Sequence, residues 1–224
     1  MLSKRLIGIF MLAGPILAIM VIILEQAYGR DGGSSFAEQM KSMSDNYALA
    51  TIGSIGFSIA ILVIFIGIHS LARSMQGENR SGSDIAGLAS VLAFLAAAIL
   101  LVSSGLQNSL LDTSYTERGG DPAVVYAISE GIAHSSFSLI GASMLLLGIA
   151  IVRQKNLNLI LGAFTGLFGL LLLIGGVIPA GDPGLDSTTA IEAVGGILWF
   201  IGFLGWFVTT MVIGGFIIKQ ARST

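Results

Sequence analysis

The stretch AVVYAISEGIAHSSFSLIGASMLLLGIAIVRQKNLNLILGAFTGLFGLLLLIGGVI, residues 123–178, sets two long apolar runs on either side of Arg153, Gln154, Lys155 and Asn156. An α-helix rises 1.5 Å per residue, so about 20 mostly apolar residues cross the hydrocarbon core of a bilayer. Residues 123–152 and 157–178 both reach that length. The four polar residues between them leave room only for a tight turn, which makes the two spans antiparallel neighbours. Outward from this hairpin the pattern repeats, with apolar runs at 85–106, 48–71 and 6–24 before it and at 190–218 after it. The chain therefore reads as all-α, a polytopic membrane helical bundle of six transmembrane helices forming a single domain over 1–224.

Composition agrees. Of the 224 residues 54% are hydrophobic and only 11% charged, against roughly 25% charged in a soluble domain. The 30 glycines are about twice the average frequency of roughly 7%, as expected where helices approach closely in lipid and packing replaces the hydrophobic effect. With no cysteine there is no disulfide, thiolate metal site or cysteine nucleophile. The net charge of −2 gives no reason to expect a nucleic-acid partner.

The charges sort by side. Lys4, Arg5, Arg73, Arg80, Arg153, Lys155, Lys219 and Arg222 fall at one end of the spans, and only Arg30, Lys41 and Arg118 at the other. The positive-inside rule then makes both termini cytoplasmic. Most acids, among them Glu25, Asp45, Asp121, Glu130 and Glu192, lie at the opposite end. The first apolar run, 6–24, exceeds the 7–15 residues of a signal-peptide core, so it reads as a retained span. The expected location is the cytoplasmic (inner) membrane of a prokaryote, as a multi-pass protein.

Local chemistry marks the helix ends. Asp84 stands where an N-cap is expected before span three, and Asp121-Pro122 supplies a cap and a first-turn proline for span four. Thr189 and Glu192 have capping-box spacing at the start of span six. The outer connections, at 25–48, 112–121 and 179–188, read as polar loops. A faint duplication relates spans two and four: Phe57-Ser58 and Phe137-Ser138 each precede an arginine, Arg73 or Arg153, by the same 16 residues counted from the phenylalanine.

Candidate chemistry is sparse. Tyr126, Glu130, His134 and Ser138 recur every fourth residue and form the most polar stripe in any span. Glu130 falls at the outer boundary of span four and His134 one turn deeper. Polar groups at that depth are costly unless they face protein or a wet cavity. The candidate site is accordingly an outward-facing one built from Glu130, His134 and Ser138, with Gln107, Asn108 and Glu192 available from other outer helix ends. The two histidines cannot share a haem, because His69 lies four residues before Arg73 and His134 nineteen before Arg153, a height difference of about 22 Å. A zinc site at Glu130 and His134 lacks a third ligand unless an outer carboxylate joins. No catalytic residue, cofactor or metal is expected.

Gly162 and Gly166 have the spacing of a close helix contact within the chain. Trp199 and Trp206, seven apart, lie too deep for an interfacial belt and are expected to fill the interior or face lipid. Ser103, Ser104, Thr209 and Thr210 are read as bonding their own helices. The basic start, Asn46 and Ser54 opening span two, and Leu146-Leu-Gly-Ile-Ala-Ile-Val-Arg153 facing Leu159-Ile-Leu-Gly162 across the turn together resemble six-helix integral membrane proteins of bacteria and archaea that have no assigned activity. That resemblance implies fold and location and transfers no site residue. The leading functional expectation is a non-enzymatic accessory or small-ligand-binding membrane protein, whose partners are the bilayer and other membrane subunits. A small transporter or channel comes second and a membrane enzyme third.

Overall fold

A computed structural model describes residues 2–27, 36–111, 117, 119–155, 157–178 and 189–222, the side chains of 36–40 apart. They form α1 (Lys4–Ala27), α2 (Phe36–Asp45), α3 (Tyr47–Ser74), α4 (Ser83–Ser109), α5 (Pro122–Gln154), α6 (Leu159–Val177) and α7 (Ala190–Arg222). All but α2 are long and apolar enough to cross a membrane, so the chain is a multi-pass membrane protein with the six spans expected. Their ends lie within four residues of the boundaries read from hydropathy. The outer-loop segments 31–35, 112–116 and 179–188, and Asn156 of the tight turn, lie outside the described residues.

Each long helix packs against the next in the chain, and α7 packs back on α1. The six spans thus close into a ring in sequence order. The start of α1 and the end of α7 fall at one end with the eight lysines and arginines named above, and Glu25, Asp121, Glu130 and Glu192 fall at the other. These are the basic and acidic ends.

Glycine sets the tightest contacts. A Cβ placed on Gly148 of α5 would come within 2.6 Å of the Gly162 carbonyl oxygen, and one on Gly141 within 2.7 Å of the Gly169 carbonyl oxygen. The α5 and α6 backbones therefore touch along most of α6, which only side-chain-free positions permit. Gly8 of α1 and Gly214 of α7 meet in the same way, each with its Cβ position 2.7 Å from the other's carbonyl oxygen. That contact closes the ring. Between α4 and α5 the spacers are instead Ala89, Ala93 and Ala96 opposite Ser129, Ser136 and Ser143, all buried.

The middle and basic-end half of the ring is filled. Met11, Ile64, Ile68, Met144, Leu147 and Ile213 are fully buried. Trp206 is 1% exposed and lies in an aromatic cluster with Phe65, Phe203 and Phe207, while Trp199 stacks on Phe203 and meets Phe137 edge-on. Both tryptophans belong to the interior.

Three local expectations change. The outer connection after span one contains a helix, α2, in which Phe36, Met40 and Met43 recur at i, i+4 and i+7; Met43 is buried against Ala50 and Leu111. The cap of α4 is Gly82 in the left-handed region, φ 76°, with no side-chain cap bond, and Asp84 sits inside the first turn. Ser103 does not bond its own helix but donates across to the Ser129 carbonyl at 2.8 Å. The other end signals hold. The Asp121 carboxylate accepts from the Ala123 amide at 2.9 Å, and Thr189 and Glu192 form a reciprocal capping box.

The basic-end connection 75–82 is tied down. Arg80 donates to the Ser74 carbonyl at 3.0 Å, the Gly77 amide to the Ser83 hydroxyl at 3.0 Å, and the Gln154 side chain to the Met75 carbonyl at 2.7 Å. This links the α3–α4 hairpin to the end of α5.

Candidate functional site

The polar stripe of α5 starts one turn inside a well-capped helix end, so its register is set by Asp121 and Pro122. The ring places α5 between α4 and α6, and the stripe divides between these neighbours. Glu130 turns to α4, where its Oε1 accepts from the Gln107 side-chain amide at 2.8 Å. His134 turns to α6, where Nε2 lies 3.2 Å from the Ile178 carbonyl oxygen. Ile178 ends α6, and terminal carbonyls have no intrahelical donor, so the imidazole N–H supplies one. Ser138 also faces α6. A Cβ on Gly176 would lie 2.8 Å from its hydroxyl.

The remaining outer residues have local tasks. Asn108 Oδ1 accepts from the Ser54 hydroxyl, joining α4 to α3. Glu192 closes the capping box of α7, its carboxylate accepting from the Thr189 amide at 2.7 Å. The structure therefore brings together Gln107 and Glu130, places Asn108 one residue along α4, and separates His134, Ser138 and Glu192 from them by function. Glu130 is exposed, whereas Gln107, Asn108 and His134 are half-buried.

This arrangement offers a carboxylate acceptor and an amide at the rim of the acidic end, hydrogen-bonded to each other. The carboxylate is engaged by the α4 amide, and the imidazole, one turn further along α5, by the Ile178 carbonyl at the end of α6.

Sequence reasoning passed over several polar contacts. Glu25, the last charge of the first span, is only 8% exposed, and its position at the end of an apolar run was the available signal. Ser129, Ser136 and Ser143 repeat at seven residues and face α4, where the Ser143 hydroxyl donates to the Ala89 carbonyl at 2.8 Å. His69, considered above only as a haem ligand, shares a hydrogen bond of 2.8 Å between Nδ1 and the Ser90 hydroxyl. On α7 the Thr209 hydroxyl bonds its own helix as expected, but the Thr210 hydroxyl, read as doing the same, is buried without a hydrogen-bond partner among the described residues, as are the Trp199 and Trp206 indole nitrogens.

Comparison of the chain with protein-family models, curated proteins and solved structures finds no match. The placement of its polar groups therefore carries the functional argument.

Proposed function

We propose that the protein is a non-enzymatic integral membrane protein of the prokaryotic inner membrane that binds a small ligand at its acidic, outward-facing end, with its basic end and both termini cytoplasmic. Glu130 and Gln107 form the centre of the site, and Asn108, His134, Ser138 and Glu192 position the helix ends around it. A carboxylate acceptor at the rim favours a small cation or an amine-bearing ligand, which gains a charge-assisted hydrogen bond. One observation carries this reading over transport: the polar contacts near Glu130 sit above a ring filled by Met144, Leu147, Ile64 and Ile213, all fully buried. A transport path requires polar or hydrated lining through that depth. An accessory role within a larger membrane complex uses the same rim as a docking point for another subunit.

The test is a thermal-shift titration of the detergent-solubilised protein with small amines and monovalent or divalent cations. The expected result is a saturable rise in melting temperature for at least one such compound, reduced at least fivefold in apparent affinity by Glu130→Gln. Equal responses of both proteins sink the binding site. Co-purification of a stoichiometric membrane protein, lost on Glu130→Gln, selects the accessory role, and ion flux in proteoliposomes selects transport.

A further inference from the structure

A second site lies at the opposite end, on the lipid-facing side between α6 and α7. Toward the acidic end these helices are in close contact: a Cβ on Gly202 would stand 2.7 Å from the Leu172 Cα, and Gly195 faces Ile178. Glycine contacts between them end at Gly205, over which the Phe168 ring is seated. Beyond this wedge the remaining glycines turn elsewhere, Gly162 toward α5 and Gly214 toward α1. The helices diverge there and leave a groove of about 410 Å³.

The groove has the chemistry of hydrocarbon. Leu161 forms its floor, the stacked rings of Phe164 and Phe168 one wall, and Val212 and Phe216 the other. The hydroxyl of Thr209, also in the lining, donates to the Gly205 carbonyl at 2.7 Å and presents no unmet polarity. From Asn158 to Phe168 the groove runs ten residues along α6, about 15 Å at helical rise. That is roughly half of a 30 Å hydrocarbon core, the depth of one leaflet.

Its mouth is cationic. Asn158 lines the basic-end limit of the groove; its Oδ1 accepts from the Ile160 amide at 2.9 Å, which leaves the amide nitrogen as the donor at the opening. Lys219 follows Phe216 by three residues and so continues the same helix face, and Lys155 precedes Asn158 by three. Neither 153–178 nor 193–222 contains an aspartate or glutamate. An apolar slot one leaflet deep, opening beneath lysines at the end of α7 opposite to Glu192, its one acid, matches an acyl chain carrying a negatively charged headgroup. Juxtamembrane lysines attract anionic lipid through this charge complementarity.

We propose that the groove between the basic-end halves of α6 and α7 retains one acyl chain of an anionic phospholipid, whose phosphate lies at Asn158 and Lys219. The splay set by Phe168 on Gly205 shapes the slot, and the lysines choose the headgroup. This site is independent of the acidic-end ligand and of Glu130.

Native mass spectrometry of the full chain in detergent, titrated separately with palmitoyl-oleoyl phosphatidylglycerol and phosphatidylcholine, tests the proposal. One phosphatidylglycerol is expected to stay bound, with an affinity about tenfold above phosphatidylcholine. Val212→Trp, at a lipid-exposed position, fills the slot and removes the bound lipid, while Lys219→Gln cuts the headgroup preference to threefold or less. In a second readout, Phe216→Trp gains an indole in the groove whose fluorescence brominated phosphatidylglycerol quenches more strongly than brominated phosphatidylcholine. Equal retention of the two lipids, retention unchanged by Val212→Trp, or equal quenching by both brominated lipids overturns the proposal.

Discussion

The acidic rim and the middle of the ring are held by different forces. At the acidic end neighbouring helices are joined by side-chain hydrogen bonds, Gln107 to Glu130, Ser54 to Asn108 and His134 to the Ile178 carbonyl. Deeper, α5 and α6 meet backbone to backbone at Gly141, Gly148, Gly162 and Gly169, and bulky apolar side chains fill the middle. Close packing has little tolerance for added volume, because interiors are already at crystalline density. Hydrogen bonds near water are replaceable at low cost, since the net value of an exchange with solvent is small. The part that can change partners is thus the acidic rim, which is where the proposed binding site lies.

Substitutions in the two regions separate these forces. The largest effect is expected from Gly148→Leu, whose side chain has no room against the Gly162 carbonyl; it should prevent folding or cost more than about 3 kcal/mol, in the overpacking range and above. Loss of monodisperse protein in detergent and of resistance to heating checks this, and wild-type behaviour breaks the claim of backbone contact. Ser143→Ala removes the buried bond to the Ala89 carbonyl and should cost about 0.6 kcal/mol, the average measured for side-chain bonds between membrane helices. Reversible unfolding in mixed micelles resolves that value, and a loss above about 2 kcal/mol would place Ser143 in a larger network. Smallest is Glu130→Gln, which keeps a hydrogen-bond partner for Gln107 at an exposed site and should alter stability by less than about 0.5 kcal/mol. A greater loss would make Glu130 a structural residue.

Much of this was legible in the residues. The six spans follow from apolar run length, and Asp121-Pro122 and Thr189 with Glu192 mark helix starts by chemistry that needs no tertiary partner. Depth removed the tryptophans from an interfacial belt but left interior and lipid-facing placements open, and the aromatic cluster around Trp206 decides for the interior. The direction each polar residue faces was not legible, for a physical reason: lipid and helix neighbours are both apolar, so a membrane helix shows no contrast between its buried and exposed sides. Hence Tyr126, Glu130, His134 and Ser138 read as one stripe until ring closure placed α4 on one side of α5 and α6 on the other. Helix α2 was hidden by its polar composition and shortness, and the α4 cap by Gly82, whose left-handed backbone does without a side-chain acceptor.

The faint duplication also looks different in three dimensions. The α5–α6 hairpin is in glycine-mediated backbone contact, whereas α3 and α4 are joined near the basic end by His69 and Ser90. Equal spacing from Phe57 to Arg73 and from Phe137 to Arg153 therefore coexists with unlike packing.

The central claim, an outward polar rim above a closed interior, is most directly tested by thiol accessibility, because the chain has no cysteine of its own. Ser136, Ser143 and Ala150 descend α5 at one heptad each, about 10 Å per step, and all are buried. Single cysteines at these three positions and at Glu130, treated on intact cells with a membrane-impermeant maleimide, should react at Glu130 and remain unlabelled at Ser143 and Ala150. Labelling from outside at Ser143 or Ala150 would show a water path through the ring and contradict the account.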